Sequence, residues 1–170
     1  MRVFHLLFLI LLVCSKDVDG QSTSYISRNT VYMALNTRGT LYSLQYDRVL
    51  RSKGLLKNSV SAGFSIYDNV LAVPLGLHFF TGQQSNHFEF GVMFIPFAEN
   101  YTELFSAGSQ SDKKGYIIPE LGYRYQQPLG GFFFKITAGP YILLDPPENN
   151  FWKMDTKFFA GISAGTGFSF

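Results

Sequence analysis

Residues 158–170 read Phe158-Phe159-Ala160-Gly161-Ile162-Ser163-Ala164-Gly165-Thr166-Gly167-Phe168-Ser169-Phe170. Taken alternately, Phe158, Ala160, Ile162, Ala164, Thr166, Phe168 and Phe170 make one mostly apolar face. Phe159, Gly161, Ser163, Gly165, Gly167 and Ser169 make a second face of mostly small or polar groups. An unbroken period of two is that of a β-strand, because successive side chains leave a strand on opposite sides. The run is long enough for a tilted membrane crossing, which takes about 9–11 residues. The competing reading is a sandwich strand that happens to end in Phe.

Ser163, Gly165, Phe168 and Phe170 also satisfy a polar-x-Gly-x-x-apolar-x-apolar pattern that closes the chain on an aromatic. This pattern resembles the C-terminal signal by which outer-membrane β-barrels are handed to the barrel assembly machinery. The other end of the chain points to the same address. Arg2 supplies a positive n-region, and residues 3–14 are apolar except for His5. That run is too short for a membrane helix, which needs about 20 residues, and suits a signal-peptide core. Val18 and Gly20 stand third-last and last before a cut between Gly20 and Gln21. A lipid anchor on Cys14 is the rival, disfavoured by the branched Val13 before it. Once a leader of residues 1–20 is removed no cysteine remains, which excludes disulfides and thiolate metal sites.

Residues 21–170 are the length of one domain. The net charge is +2 and no basic block occurs, so nucleic acid is not an expected partner. With 46% hydrophobic residues, 18 Phe and 10 Tyr, the chain has the means to build a soluble core. Its apolar residues are instead dispersed in alternation, which is how a barrel carries its membrane signal.

Eight strands are expected: 24–35, 40–50, 59–67, 71–79, 88–94, 118–126, 132–139 and 158–170. The third is the clearest, with Val60, Ala62, Phe64 and Ile66 against Ser59, Ser61, Gly63 and Ser65. Pro74 and Pro119 sit awkwardly, since proline costs a ladder hydrogen bond away from bulges and edges. Helical periodicity and internal repeats are absent. The second face decides which kind of barrel this is. A soluble ligand-carrying barrel shows Lys, Glu and Thr to water, whereas here that face is rich in Gly and Ser, suited to a tight eight-stranded lumen. The aliphatic and aromatic face then meets lipid.

With both termini periplasmic, the outer connections are 36–39, 68–69, 96–114 and 143–157. The periplasmic ones are 51–58, 82–86 and 127–131, so both of the longest loops fall outside. Tyr46, Phe79, Phe88, Tyr125, Phe132, Phe168 and Phe170 share the lipid-facing parity near the periplasmic ends, as an interfacial aromatic girdle would. The expectation is an all-β chain: a signal peptide, then an eight-stranded antiparallel up-and-down transmembrane β-barrel, monomeric, in a Gram-negative cell outer membrane.

Thr30-Val31-Tyr32, Gly39-Thr40-Leu41-Tyr42-Ser43-Leu44-Gln45-Tyr46-Asp47-Arg48, Gly122-Tyr123-Arg124-Tyr125-Gln126 and Gly131-Phe132-Phe133-Phe134-Lys135 carry a family likeness. The chain resembles small outer-membrane proteins with an OmpA-like or OmpX-like eight-stranded barrel, and more narrowly an uncharacterised group of them. The resemblance covers essentially all of the mature chain. It implies fold and location and brings no catalytic residues.

Glu89, Glu120, Arg124 and Lys135 fall on the lumen parity, with Asp47, Gln45 and His78 as neighbours. Glu120 and Arg124 are four apart on one strand, roughly 13 Å at the usual rise, so they do not pair directly. A tight turn near 128–130 sets Lys135 diagonal to both. Unpaired charge in a narrow lumen is costly, so a cross-strand network is expected. It is read first as a structural plug and second as the gate of a narrow pore. A lipid A-modifying enzyme is the third reading. His78 and His87 have no nucleophile beside them in sequence, although a triad is defined by geometry rather than spacing. No cofactor is expected, and no metal, for want of ligand spacing. Tyr101, Leu104, Phe105, Phe151, Trp152 and Met154 are apolar groups in otherwise polar outer loops. Three readings of them stand open: a surface for an extracellular protein or glycan, caps on the barrel rim, or anchors in outer-membrane lipid.

Overall fold

The computed structural model describes residues 27–52, 54–82, 84–100, 113–145 and 155–170. Residues 1–20, expected to be a signal peptide, and the loop residues Tyr101, Leu104, Phe105, Phe151, Trp152 and Met154 lie outside them.

The chain forms β1 (Asn29–Asn36), β2 (Tyr42–Arg51), β3 (Leu56–Tyr67), β4 (Val70–Ala72), β5 (Leu75–Thr81), β6 (Asn86–Glu99), β7 (Lys113–Gln126), β8 (Gly131–Asp145) and β9 (Asp155–Ser169). No helix occurs among the described residues. Neighbouring strands pair antiparallel, β4 and β5 each lying between β3 and β6, and β1 pairs with β9, closing the sheet into a barrel and leaving no edge.

β4 and β5 are one stave. β3 pairs Ser65 with Ala72 and resumes at Ala62 with Leu75 in the same register, and β6 does likewise with Phe97 and Phe94. The break is Val73-Pro74, where proline lacks its donor. Its carbonyl still accepts from Gly63 N at 2.9 Å, and Val73 N donates to Pro96 O at 3.0 Å. The barrel therefore has eight staves, and the pairs Gly63–Pro74 and Val73–Pro96 each keep one of their two ladder bonds.

Strand limits differ from the sequence reading. β1 begins at Asn29, with Ser27 and Arg28 outside it, rather than near residue 24. β6 runs on through Pro96 to Glu99, β7 starts at Lys113, and β8 continues to Asp145. The register holds through Pro96↔Gly115 and Leu143↔Lys157. Alternation fades there because the lumen itself turns apolar: Phe97, Tyr116 and Phe159 pack on a buried cluster of Ala72, Met93, Ile95, Ile118 and Tyr141. The described strands therefore reach into both segments expected to be long connections, 96–114 and 143–157. Asp68 and Asn69, at φ 45° and 61°, make a two-residue hairpin loop whose two positive φ values match the strand twist.

Along β2, Ser43, Gln45, Asp47 and Val49 are buried while Tyr42, Leu44, Tyr46 and Leu50 point out. The same alternation makes a continuous outward apolar belt that includes Val31, Phe64, Leu75, Val92, Leu121 and Ile136. An exposed apolar surface of this extent marks an interaction face. At the end where β1 begins and β9 finishes, Tyr46, Phe88, Phe132, Phe168 and Phe170 are exposed and Phe79 and Tyr125 half-buried. Tyr46 and Tyr123 there donate to Asn29 Oδ1 at 2.6 Å and Asn86 Oδ1 at 2.5 Å.

Candidate functional site

Inward polar side chains of a narrow barrel pair largely with one another, across staves or along one, because the ladders already occupy most backbone groups of the walls. Arg124, on β7, is fully buried. Its Nη2 donates to Asp47 Oδ1 at 2.8 Å, and its Nη1 reaches Glu89 Oε2 at 3.3 Å and Ser59 Oγ at 3.2 Å. Nε donates to Gln126 Oε1 at 2.8 Å. The guanidinium carbon lies over two rings, 4.4 Å from the Phe80 centroid and 5.1 Å from that of Phe133. This placement suits a delocalised cation, which stacks on aromatic faces while its edge makes hydrogen bonds.

Lys135, on β8, donates to Glu89 Oε1 at 2.7 Å and to Glu120 Oε1 at 3.4 Å. Thr137 Oγ1 donates to Glu120 Oε2 at 3.0 Å, and Ser59 Oγ to Asp47 Oδ2 at 2.9 Å. The structure thus brings Glu89, Glu120, Arg124 and Lys135 together with Asp47 and His78. Gln45 instead accepts from Tyr32 OH at 2.8 Å. One relation differs from the sequence reading: Lys135 stands directly opposite Arg124, not diagonal to it. Two cations in that register would repel, and Glu89, reaching over from β6, binds both.

His78 lies on β5 beside both carboxylates. Its Nε2 is 2.8 Å from Ser61 Oγ, and its Nδ1 is 2.9 Å from Glu120 Oε1 and 3.3 Å from Glu89 Oε1. Gly76 makes room for it, since a Cβ at 76 would strike the imidazole and Ser61 Oγ; a Cβ at 91 would strike the Leu77 carbonyl first and also crowd His78. Ser61, His78 and Glu120 therefore follow the order of a serine–histidine–acid relay. Nδ1 is at ion-pair distance from Glu120 without hydrogen-bond geometry. Ligand atoms of His78, Glu89 and Glu120 lie within 4.8 Å of one another, as a metal site would need. The ammonium of Lys135, bonded to both carboxylates, already supplies the cation there. His87 has another task, with Nδ1 2.9 Å from Thr81 O and Nε2 3.4 Å from Gln126 O at the barrel's end.

Toward the other end, the lumen carries the apolar cluster around Ile95, Ile118 and Tyr141. The charged layer and the apolar layer are separate clusters within the barrel.

On β9, Ser163 pairs with Asn36 and Thr137, and Gly165 with Ala34 and Lys135. A Cβ at 165 would come within 2.9 Å of the Tyr32 ring. Phe168 and Phe170 point outward, 60% and 59% exposed. Phe170 is tied to β1 by Phe170 N→Asn29 O at 2.8 Å and Asn29 N→Phe170 O at 3.0 Å.

Fold and site together define a class: a closed eight-stave β-barrel with an apolar outer belt and an ion-paired lumen. Comparison of the chain with protein-family models, curated proteins and solved structures gave no match.

Proposed function

We propose that the protein is a small, monomeric, non-enzymatic outer-membrane barrel of the OmpA-like or OmpX-like kind. On this reading residues 1–20 are its signal peptide, both termini are periplasmic, and Ser163, Gly165, Phe168 and Phe170 engage the barrel assembly machinery. Its role is structural, or is exerted by the outer loops around Tyr101, Phe105, Phe151 and Trp152 on an extracellular protein or glycan. The observation that carries the reading is the inversion of the two faces. Ion pairs and hydroxyls lie inside, and aliphatic and aromatic side chains cover the outside. Water favours the opposite arrangement.

A plugged barrel is electrically silent, so planar-bilayer recording of the purified protein should show no steady conductance. A gated pore is the second reading. It is favoured by the sharing of Glu89 between Arg124 and Lys135, since either cation can take the carboxylate and open the other contact. Steady conductance that changes in Lys135→Ala would replace the plug with that gate. The third reading, an enzyme acting on lipid A, would draw on the Ser61–His78–Glu120 order. Release or transfer of acyl chains by the purified protein, lost in Ser61→Ala and His78→Ala, would overturn both other readings.

A further inference from the structure

We propose that the seam between β7 and β8 is a lateral binding site for one alkyl chain of a membrane lipid. The inference rests on the membrane placement proposed above. β7 and β8 pair through Gly115↔Leu144, Tyr116↔Leu143 and Ile117↔Ile142, stop, and resume at Leu121↔Ala138 in unchanged register. The skipped stretch sets Pro119 opposite Pro140. A hydrogen-bonded antiparallel pair exchanges two N–H···O bonds. Proline has no N–H, so one on each strand removes both. The flanking pairs, Ile118 with Tyr141 and Glu120 with Gly139, share those bonds and fail with them. On their other sides the two prolines leave the ladders whole: Pro119 pairs with Val92 of β6, and Pro140 with Ala160 of β9. The entire loss is thus concentrated on one seam, well inside both strands.

A groove of 320 Å³ opens at this seam. That volume is near the lower end of the roughly 300–1,000 Å³ of small-molecule sites, enough for part of an alkyl chain. Its walls include Phe90, Leu121 and Ala138 with the two proline rings, all on the outward parity and all uncharged. Gly91 and Gly139 present no side chain beneath it. Glu120 also borders the groove, but its carboxylate is held by Lys135 and Thr137 inside the lumen. Apart from the two carbonyls left without ladder donors, the lining is apolar, so it fits an uncharged, largely apolar occupant. The groove is continuous with the outward apolar belt, the surface a bilayer would cover. A chain lying in it gains wall contacts that a chain against a flush wall lacks.

The test uses the full chain reconstituted in phosphatidylcholine vesicles containing a lipid with a diazirine midway along one acyl chain. Adducts are mapped by mass spectrometry after irradiation. Peptides covering 117–121 and 138–142 should carry several-fold more adduct than the outward wall of β2 and β3 across the barrel. Ala138→Phe, which fills the groove without adding charge, should abolish the excess. Pro140→Val, which restores one ladder donor and narrows the seam, carries the same expectation should the Phe variant fail to fold. Even labelling around the barrel, or an excess that survives in the folded variants, overturns the site and leaves the membrane placement standing. A folded protein without adducts anywhere on its belt overturns both.

Discussion

Replacing Arg124 with Met should destabilise the barrel by about 3–5 kcal/mol, the usual cost of removing one partner from a buried ion pair. The loss comes less from the missing cation than from what it leaves behind. Asp47 keeps only Ser59 as a hydrogen-bond donor from this cluster, and Glu89 keeps only Lys135 and the nearby His78. Met also gives up the guanidinium's contacts with the Phe80 and Phe133 rings. Denaturant unfolding followed by circular dichroism measures the change. Adding Asp47→Asn and Glu89→Gln to the same chain should recover much of the loss, because the stranded charges are then gone. If Arg124→Met costs no more than an ordinary surface substitution, with effects within about 0.5 kcal/mol, the ion pairs do not hold the lumen together.

Placing Arg at Phe64 or Leu75 should cost about 2–4 kcal/mol in a membrane, the penalty for a cation on the lipid face near mid-bilayer. Both positions point outward, 52% and 42% exposed. In water the same change would be close to neutral, so the size of the effect reports the solvent of the belt. Leu129→Arg, in the turn between β7 and β8 and 79% exposed, is the tolerant control. Ser61→Arg is a poor lumen control, because Ser61 is buried against His78. Ser61→Ala is the appropriate one. Equal tolerance of Arg at Phe64, Leu75 and Leu129 would mean that the belt does not face lipid.

Alternation made the staves legible wherever small or polar residues face apolar ones, as in β3 and β9. It lost its contrast at the end of the barrel where the lumen holds Phe97, Tyr116 and Phe159, since both faces there read as apolar. The strands accordingly run further than their pattern does. The shared parity of Glu89, Glu120, Arg124 and Lys135 was equally legible. Their partners were not, because partner choice depends on the stagger between staves. Arg124 meets Asp47, 77 residues away in sequence, and Ser61 meets His78 across one ladder. Pro119 read as an isolated irregularity. Only the register of β7 on β8 sets it against Pro140.

Fractionation of a Gram-negative host expressing the full chain is the most direct measurement of whether this barrel lives in a membrane. Closed membrane barrels satisfy their backbone groups internally and resist denaturing detergent until heated. The protein should remain in the outer-membrane fraction after alkaline carbonate extraction and migrate at different positions on a denaturing gel when boiled and unboiled. Recovery in the soluble fraction as a folded β-sheet protein, stable in buffer without detergent, would contradict the membrane reading.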